Sequence, residues 1–474
     1  MNKNRLFSIF SASMLILFAL SAFFTGPALA APAAGAVIWC PTGQKPGSAR
    51  CTAAEPTVGA LLGDLASKSG AGMVYFTSSY SSADATFDHT GLARLTDLTI
   101  QGGWNGMMGK GYKLGGLTAL SVPLTVQNWV GNVSVNALTI SGASGTGLTV
   151  HTTGNIHILN VQSKNNTGAG ASLDNCNDNG GRCGTHGASV TLTGTNVFDS
   201  NAGDGLDVYS GGAISSGPLS ANHNGGAGAH IANNYAASAT PVTLSGPSGF
   251  SGNGIDGLEL YAQGAITANN LTAEGNAGNW SMGAYIFNAY NFTAPIKIGG
   301  TSQFTGNSAH GLFIYSNGAI TMQNINGSQN GGEGLYAVSQ AITLGGANTF
   351  NNNTAQGAQI FAGGAVNLGG TNSFLNNGSD GLYLESKGTP VSLTRITTDS
   401  NYYDGLKISK AGKVTVTCGN FMDNGTSGSG YGWETGEPAA SITMIGTQAD
   451  GNQSGPFNTN GGPDPVMRPT CTLP

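Results

Sequence analysis

Apolar and polar residues alternate in short runs that recur about every 23 residues along this chain. Each run follows a glycine. In most repeats the first and third residues after that glycine are apolar, as in Leu258 and Leu260 or in Leu406 and Ile408. Such alternation is typical of a strand with one buried face. The glycines that align the repeats are Gly147, Gly170, Gly205, Gly228, Gly257, Gly283, Gly311, Gly334, Gly357, Gly381, Gly405 and Gly428.

Two further strands fit into each repeat. A second apolar run begins nine residues after the glycine, as at Ile214, Ile266 and Ile320, and a third position often carries phenylalanine. Three short strands in about 23 residues make one coil of a β-helix, and such coils stack about 4.8 Å apart. We therefore predict an all-β fold, a right-handed, single-stranded parallel β-helix of about 12 or more coils. The phenylalanines are Phe198, Phe250, Phe304, Phe350, Phe374 and Phe421.

An asparagine stands four residues before the aligning glycine in eleven of the twelve repeats, and Ala143 is the exception. Asparagine tolerates the left-handed backbone of sharp corners, and stacked amides can hydrogen-bond from coil to coil. We therefore expect a structural ladder along one corner rather than a ligand site. Its predicted members are Asn166, Asn201, Asn224, Asn253, Asn279, Asn307, Asn330, Asn353, Asn377, Asn401 and Asn424.

The two ends of the chain depart from the repeat. Residues 1–30 have the charge, apolar stretch and small-residue cleavage site of an export signal, which predicts secretion. We assign residues 31–95 to an N-terminal cap and the first coils. There an amphipathic helix around Val58 and Leu65 covers the exposed end of the core. Residues 96–440 are the predicted β-helix, and residues 441–474 are expected to form a covering tail.

The coil pattern resembles that of a known family. The motif N-x-x-x-G-[LA]-x-[VIL], as in 253–260 and 401–408, is similar to the repeats of pectin-lyase-like right-handed β-helix proteins of the secreted bacterial type. The early segments 72–76 and 98–103 are also similar to the first coils of such proteins. The resemblance covers roughly residues 55–430 and implies the architecture. It does not imply one activity, because the superfamily includes lyases, glycosidases, adhesins and non-catalytic surface proteins.

Composition narrows the classes of partner. Charged residues make up 8% of the chain and the net charge is −6, so a nucleic-acid partner is not expected. No segment after the export signal is apolar enough to span a membrane, and we expect a monomer. Arg395 is the one arginine between Gly205 and Gly428, which argues against an acidic, pectin-like substrate.

Six cysteines in an exported chain predict three disulfides, for which 15 pairings are possible. Their positions favour pairing neighbours along the chain. Metal binding is the weaker alternative, because no C-x-x-C motif or His/Cys cluster accompanies them. No cofactor is predicted, and calcium is not supported, because the loop-like stretch 174–180 lacks the rest of a calcium motif. The favoured pairs are Cys40 with Cys51, Cys176 with Cys183, and Cys418 with Cys471.

Three chemically active side chains fall at outward positions of successive coils, namely Asp207, His230 and Glu259. Neighbouring coils would place Asp207 and Glu259 about 10 Å apart across His230. That separation is near the upper end of the range for inverting glycosidases, about 6.5–9.5 Å. These three residues are therefore the candidate catalytic group. The alternative is a set of scattered polar residues on a solvated face.

Aromatic residues also fall at outward positions of consecutive coils. The seven from Tyr285 to Tyr383 would form a stripe about 20–25 Å long, and exposed aromatic patches usually mark contact surfaces. Tyr209 and Tyr261 stand apart from this stripe, beside the candidate catalytic group, where they could stack on a sugar ring. The flat C–H faces of sugar rings suit such a surface. The alternatives are that the rings stabilise neighbouring strands or are covered by a loop. The candidate ligand-binding residues are Tyr209, Tyr261, Tyr285, Phe287, Phe313, Tyr315, Tyr336, Phe361 and Tyr383.

The sequence thus favours a secreted, non-catalytic β-helix that binds an extended polymer, with a polysaccharide as the expected partner. A polysaccharide hydrolase or lyase acting around Asp207, His230 and Glu259 is the first alternative. A structural or adhesive surface module is the second. Product formation separates the enzyme from the binding protein, and glycan retention that depends on the aromatic residues separates binding from a structural role.

Overall fold

The chain folds as a right-handed parallel β-helix, which confirms the predicted fold class. The computed structural model describes residues 35–81, 85–176, 183, 187–290, 293–437, 439–468 and 471. The predicted export signal, residues 1–30, lies outside the described residues. Each coil contributes one strand to a front sheet and, in most coils, two short strands to a back sheet that bends around the core.

Within the described residues, the front sheet contains fifteen strands, and the pairings between them are parallel. Equivalent residues of successive coils lie side by side, so that Asp207 pairs with His230 and His230 with Glu259. The front strands are Thr86–Asp88, Leu124–Trp129, Leu148–Thr152, Ala171–Asp174, Leu206–Tyr209, Ala229–Ala232, Leu258–Tyr261, Ala284–Asn288, Leu312–Ser316, Leu335–Ser339, Ala358–Ala362, Leu382–Ser386, Leu406–Ser409, Tyr431–Thr435 and Gly455–Asn458.

The back sheet contains twenty-nine strands. Its first strand, Val37–Pro41, pairs antiparallel with Gly70–Thr77, and the later pairings are parallel. The back strands are Val37–Pro41, Gly70–Thr77, Leu95–Trp104, Thr118–Leu120, Val133–Ser141, Ile156–Lys164, Val190–Thr193, Asn196–Val197, Ile214–Ser216, Leu219–Ser220, Val242–Leu244, Ser248–Gly249, Ile266–Asn269, Leu271–Thr272, Ile296–Gly299, Ser302–Gln303, Ala319–Gln323, Ile325–Asn326, Ala341–Gly345, Ala347–Thr349, Val366–Leu368, Thr371–Leu375, Val391–Thr394, Ile396–Asp399, Lys413–Thr417, Asn420–Met422, Ser441–Ile445, Gln448–Asp450 and Val466–Arg468.

The inward residues of most of these strands form one continuous apolar core from Val37 to Met444. The six phenylalanines of the repeat are fully buried in it, and Phe350 stacks on Phe374 with ring centroids 5.5 Å apart. The core is continuous because each coil is too thin to bury its own apolar face and closes only against its neighbours.

A ladder of asparagines, buried except for the half-buried Asn452, follows the corner that precedes each front strand from Ala171–Asp174 onward. In each step the amide oxygen of one asparagine accepts hydrogen bonds from the backbone N–H and the Nδ2 of the asparagine on the preceding coil, as Asn353 does from Asn330 at 3.0 and 3.1 Å. The ladder consists of Asn166, Asn201, Asn224, Asn253, Asn276, Asn307, Asn330, Asn353, Asn377, Asn401, Asn424 and Asn452.

Two details of the sequence alignment are wrong. Asn276, not Asn279, occupies the ladder between Asn253 and Asn307, and Asn279 is exposed on a longer corner loop. The four-residue spacing matched Asn279 because that loop has three extra residues. In the coil after Asn401, Trp433 pairs with Leu406, so Gly432 rather than Gly428 is the equivalent of the aligning glycine Gly405.

The N-terminal end of the core is covered by one α-helix, Val58–Leu65. Thr57 caps the helix by accepting a hydrogen bond from the N–H of Ala60, and Val58, Leu61 and Leu65 are buried. Two short 3₁₀ turns, His89–Gly91 and Gly109–Gly111, lie among the first coils.

At the other end the β-helix continues beyond residue 440, where the sequence pattern predicts a covering tail. Ser441–Ile445 pairs in parallel with Lys413–Thr417, and Gly455–Asn458 pairs with Tyr431–Thr435. The apolar pattern weakens here, but backbone pairing between stacked coils requires only extended strands in register.

All three favoured disulfides are present, Cys40–Cys51, Cys176–Cys183 and Cys418–Cys471. The last of them ties the end of the chain to an earlier coil. Within the described residues, no helix has the length and apolar character needed to cross a membrane.

Candidate functional site: the outward face of the front sheet

Two columns of side chains point outward from the front sheet, because alternate residues of a strand face opposite sides. The first column is formed by the second residue of most strands, and it includes Asp207, His230 and Glu259 in successive coils. The second column lies two residues further along each strand and includes Tyr209 and Tyr261. These side chains are half-buried, so their outer surfaces remain accessible.

An unbroken series of ring contacts crosses eight front strands. We call this series the aromatic ladder, and it spans seven strand spacings, about 34 Å. It alternates between the two columns at both ends and follows the first column in the middle. Its ring-centroid distances are Tyr209–His230 5.1 Å, His230–Tyr261 5.5 Å, Tyr261–Tyr285 5.5 Å, Tyr285–Phe313 5.0 Å, Phe313–Tyr336 4.8 Å, Tyr336–Phe361 5.6 Å and Phe361–Tyr383 5.8 Å.

The structure brings all nine aromatic residues singled out from the sequence onto this face. Phe287 and Tyr315 form a side branch, with stacked rings 5.3 Å apart. The sequence predicts that Tyr209 and Tyr261 lie apart from the stripe that begins at Tyr285. The imidazole of His230 closes that gap, because its ring contacts both tyrosines.

The candidate catalytic residues are also adjacent. Nδ1 of His230 lies 2.9 Å from Oδ1 of Asp207, and Glu259 occupies the equivalent position on the next coil. Asp207 and Glu259 are separated by two strand spacings, about 10 Å. The group therefore consists of one hydrogen-bonded Asp–His pair and one neighbouring carboxyl group.

Burial and nearby charge shift the acid–base behaviour of this group. Burial lowers the pKa of His230, but the hydrogen bond and charge of Asp207 outweigh it, so the net pKa is raised. Burial raises the pKa of Glu259, and the nearby charge of Asp256 raises it further. A carboxyl group with a raised pKa is a better proton donor near neutral pH.

Two carboxylates at the edge of the sheet complete what we call the acidic cluster: Asp204, Asp207, His230, Asp256 and Glu259. Asp204 and Asp256 stand at corners, directly before the aligning glycines Gly205 and Gly257. They do accept corner hydrogen bonds, from the N–H of Ala227 at 2.7 Å and from the N–H of Met282 at 2.6 Å. Their charges also act on His230 and Glu259. The sequence signal for them was an acidic residue directly before the aligning glycine.

A second charged cluster lies beyond the other end of the aromatic ladder and was not found from the sequence. Nζ of Lys407 lies 2.8 Å from Glu434 and 3.4 Å from Asp404. Oδ1 of Asp404 accepts the N–H of Tyr431, and the N–H of Asp404 is donated to Asp380. Burial raises the pKa of Asp404 to about 6. The ion pairs hold the pKa of Lys407 above its ordinary value, although burial opposes them.

A shallow groove of about 200 Å³ runs beside the aromatic ladder, where the front strands turn towards the back sheet. Tyr315 and Phe361 provide its apolar wall, and Gln340, Glu385 and Lys387 provide polar groups. Apolar rings next to a few amide and charged groups are typical of sites that bind a polar ligand in one orientation. Among the described residues, no group of three or more His, Cys, Asp or Glu side chains is placed to hold a metal ion.

Comparisons with known proteins return one structural likeness. No protein-family model and no curated protein sequence matches the chain. Among solved structures, the A-module of a mannuronan C-5 epimerase of Azotobacter vinelandii is similar, with 14% sequence identity and a TM-score of 0.32. That likeness covers 88% of this chain and 94% of the module.

Proposed function

We propose that this protein binds an extended, uncharged polysaccharide along the aromatic ladder. The observation that carries the proposal is the unbroken series of half-exposed rings across eight coils. Sugar rings present flat C–H faces that pack on aromatic rings, and a periodic row of rings suits a polymer better than a small molecule. The carboxylates at both ends of the ladder favour an uncharged polymer over an anionic one.

The ladder is not needed to hold the coils together. Four coils nearer the N-terminus stack in the same way with Thr86, Thr125, Thr149 and Ser172 at the first outward column. The buried core runs through the aromatic and non-aromatic coils alike, and the asparagine ladder extends from the coil of Ser172 to coils beyond Tyr383. Aromatic pairs do stabilise neighbouring strands, by about 0.2–1 kcal/mol each. That contribution does not explain why they are confined to consecutive coils and left half-exposed.

We also propose that the protein acts outside the cell. Three disulfides are typical of proteins that fold in an oxidising compartment.

The resemblance of the coil motif to pectin-lyase-like β-helix proteins supports a polysaccharide as the partner.

The test is affinity electrophoresis against a panel of neutral and acidic polysaccharides. The triple variant Tyr315→Ala, Tyr336→Ala, Phe361→Ala should lose at least about tenfold in affinity, because each lost ring contact is worth about 0.5–1.5 kcal/mol. The matched control is Thr125→Ala, Thr149→Ala, Ser172→Ala, which changes the same outward column outside the ladder. Unchanged retention in a folded aromatic variant would show that the ladder is not the binding surface.

A second function, glycoside hydrolysis, is favoured by the acidic cluster. In an inverting reaction, Glu259 would donate its proton to the leaving glycosidic oxygen. Asp207 would accept a proton from the water that attacks the anomeric carbon. The raised pKa of Glu259 suits the donor, and the separation of about 10 Å is close to that of inverting enzymes.

Release of reducing ends separates the two functions. If the protein hydrolyses a bound polymer, Glu259→Gln should abolish release and leave binding intact. The control Glu274→Gln changes a carboxyl group on the back side of the coil, whose oxygen accepts a bond from Thr305. Absence of product from every polymer that binds would exclude hydrolysis and leave the binding function standing.

A further inference from the structure

Trp280 stands on a corner loop that differs from the other corners. Between the ladder asparagine and the aligning glycine most corners have three residues, as from Asn330 to Gly334, but six separate Asn276 from Gly283. The three extra residues extend the loop outward, and Trp280 on it is 84% exposed. The four other tryptophans of the chain, Trp39, Trp104, Trp129 and Trp433, are buried.

The loop is braced although its tryptophan is exposed. Towards the preceding coil, the N–H of Ala277 is donated to the carbonyl of Asn253 at 3.1 Å. Towards the following coil, the N–H of Ser281 is donated to Oγ of Ser308 at 2.9 Å, and Ala309 donates to the carbonyl of Ser281 at 2.8 Å. Trp280 is therefore held in place at the surface.

The backbone of Trp280 has φ = 65°, in the left-handed region. Bulky residues rarely adopt this region, because Cβ approaches the following carbonyl oxygen. Glycine or asparagine would fit the same turn without that strain. A strained bulky residue that gains no burial points to a role at the surface, since such outliers cluster at ligand-binding sites.

The loop borders the aromatic ladder at its acidic cluster. It leads directly into the front strand that carries Tyr285, and the N–H of Met282 is bonded to Asp256 of that cluster. At the opposite edge of the sheet, Tyr290 is 36% exposed and packs edge-on against Phe287, 5.1 Å away. The ladder thus passes between two exposed aromatic residues at this point.

We infer that Trp280 is a sugar-binding platform that, with Tyr290 on the opposite edge, holds the polysaccharide over Tyr261 and Tyr285 beside the acidic cluster. This inference rests on the proposed function and names the segment of the ladder where the polymer is most closely held. A polysaccharide is favoured over a protein partner because the platform is continuous with the ladder. Asp256, which accepts the N–H of Met282 from the same loop, also offers a hydrogen-bond acceptor for a sugar hydroxyl.

Acrylamide quenching of tryptophan fluorescence tests this directly, because Trp280 is the accessible tryptophan among five. When a polysaccharide binds to the full chain, the quenching of Trp280 fluorescence by acrylamide should fall severalfold. Trp280→Ala should weaken binding about five- to tenfold, the effect of losing one ring contact, whereas Trp280→Phe should bind within about threefold of the original. Tyr402→Ala, at an equivalent exposed corner far along the β-helix, is the matched control and should bind unchanged.

The variant Trp280→Gly distinguishes a binding role of Trp280 from a purely structural one. Glycine relieves the left-handed backbone, so this variant should unfold at an equal or higher temperature and still bind weakly. A lower unfolding temperature with unchanged affinity would overturn the inference. Binding that depends on Tyr315, Tyr336 and Phe361 but leaves Trp280 fully quenchable would overturn it too, while the proposed function stands. Protection of Trp280 by raised protein concentration alone would assign the platform to self-association. Absence of any polysaccharide binding would refute both proposals.

Discussion

Nδ1 of His230 lies 2.9 Å from Oδ1 of Asp207, although 23 residues separate them along the chain. One coil of the β-helix brings the two side chains together, and the ring of His230 also contacts Tyr209 and Tyr261. A single imidazole therefore joins the acidic cluster to the aromatic ladder. Proton binding at His230 and polymer binding on the ladder are expected to influence each other.

Asp207→Asn should lower the pKa of His230, because burial then acts without the opposing carboxylate. Because folding raises the pKa of His230, its stabilising effect is full below about pH 6.5 and is lost as the pH rises through the folded value. Titration of the imidazole carbon-bound protons by NMR measures the pKa of His230 in the original protein and in the variant. Asp199→Asn, whose carboxylate accepts bonds from Ser220 and Asn222, is the control and should leave His230 unchanged. An unchanged pKa of His230 in Asp207→Asn would contradict the pairing.

Asn330→Ala should destabilise the protein by about 2–4 kcal/mol, because it leaves several buried polar groups of neighbouring coils without partners. The side chain of Asn330 accepts from Asn307 and donates to Asn353 and to the carbonyl of Phe304. Asn279→Ala is the matched control and should change stability by less than about 0.5 kcal/mol, since Asn279 is exposed. Urea unfolding followed by circular dichroism measures the stability of both variants. Equal midpoints for the two variants would show that the asparagine ladder does not stabilise the fold.

Phe350→Ala should cost about 3–5 kcal/mol, because the lost ring leaves a cavity beside Phe374 in a core that continues into both neighbouring coils. Phe350→Leu should cost less, since most of the volume remains. The melting temperatures of the two variants, compared with that of Tyr402→Ala at an exposed aromatic residue, test this order of stability. A melting temperature for Phe350→Ala equal to that of Tyr402→Ala would be inconsistent with a buried column.

The contribution of Asp404 to the free energy of unfolding should fall as the pH rises from about 4 to about 6. The pKa of Asp404 is about 6 in the folded protein, raised by burial, against about 3.9 in the unfolded chain. The folded state therefore binds more protons in this range, and its stability decreases when they leave. Asp404→Asn should flatten the profile, because the amide oxygen can still accept the N–H of Tyr431. Asp64→Asn, on the exposed side of the capping helix, should leave the slope as it is.

The fold could be predicted in detail from local patterns. Alternation with period two marks strands, and the recurring Asn and Gly mark corners, because both requirements act within a few residues. The capping helix followed from equally local evidence, and the three disulfides followed from pairing neighbouring cysteines along the chain. The outward positions of Asp207, His230 and Glu259 followed from counting residues after each glycine, so the sequence alone identified most of the candidate site.

The errors arise where coils differ in length. The sequence placed Asn279 in the ladder because its spacing fits, but only the stacking of whole coils shows that Asn276 meets Asn253 and Asn307. The same applies beyond residue 440, where the strands persist after the apolar pattern weakens.

The sequence by itself therefore determined the architecture, the inward columns and which residues face outward, because each follows from the local geometry of strands and corners. Only the tertiary structure decided which outward residues touch. The ring of His230 between two tyrosines, the pairing of Lys407 with Glu434 and the hydrogen bond from Met282 to Asp256 all depend on the register between coils. That register is set by the packing of complete coils and by the length of each corner loop, which no local pattern encodes.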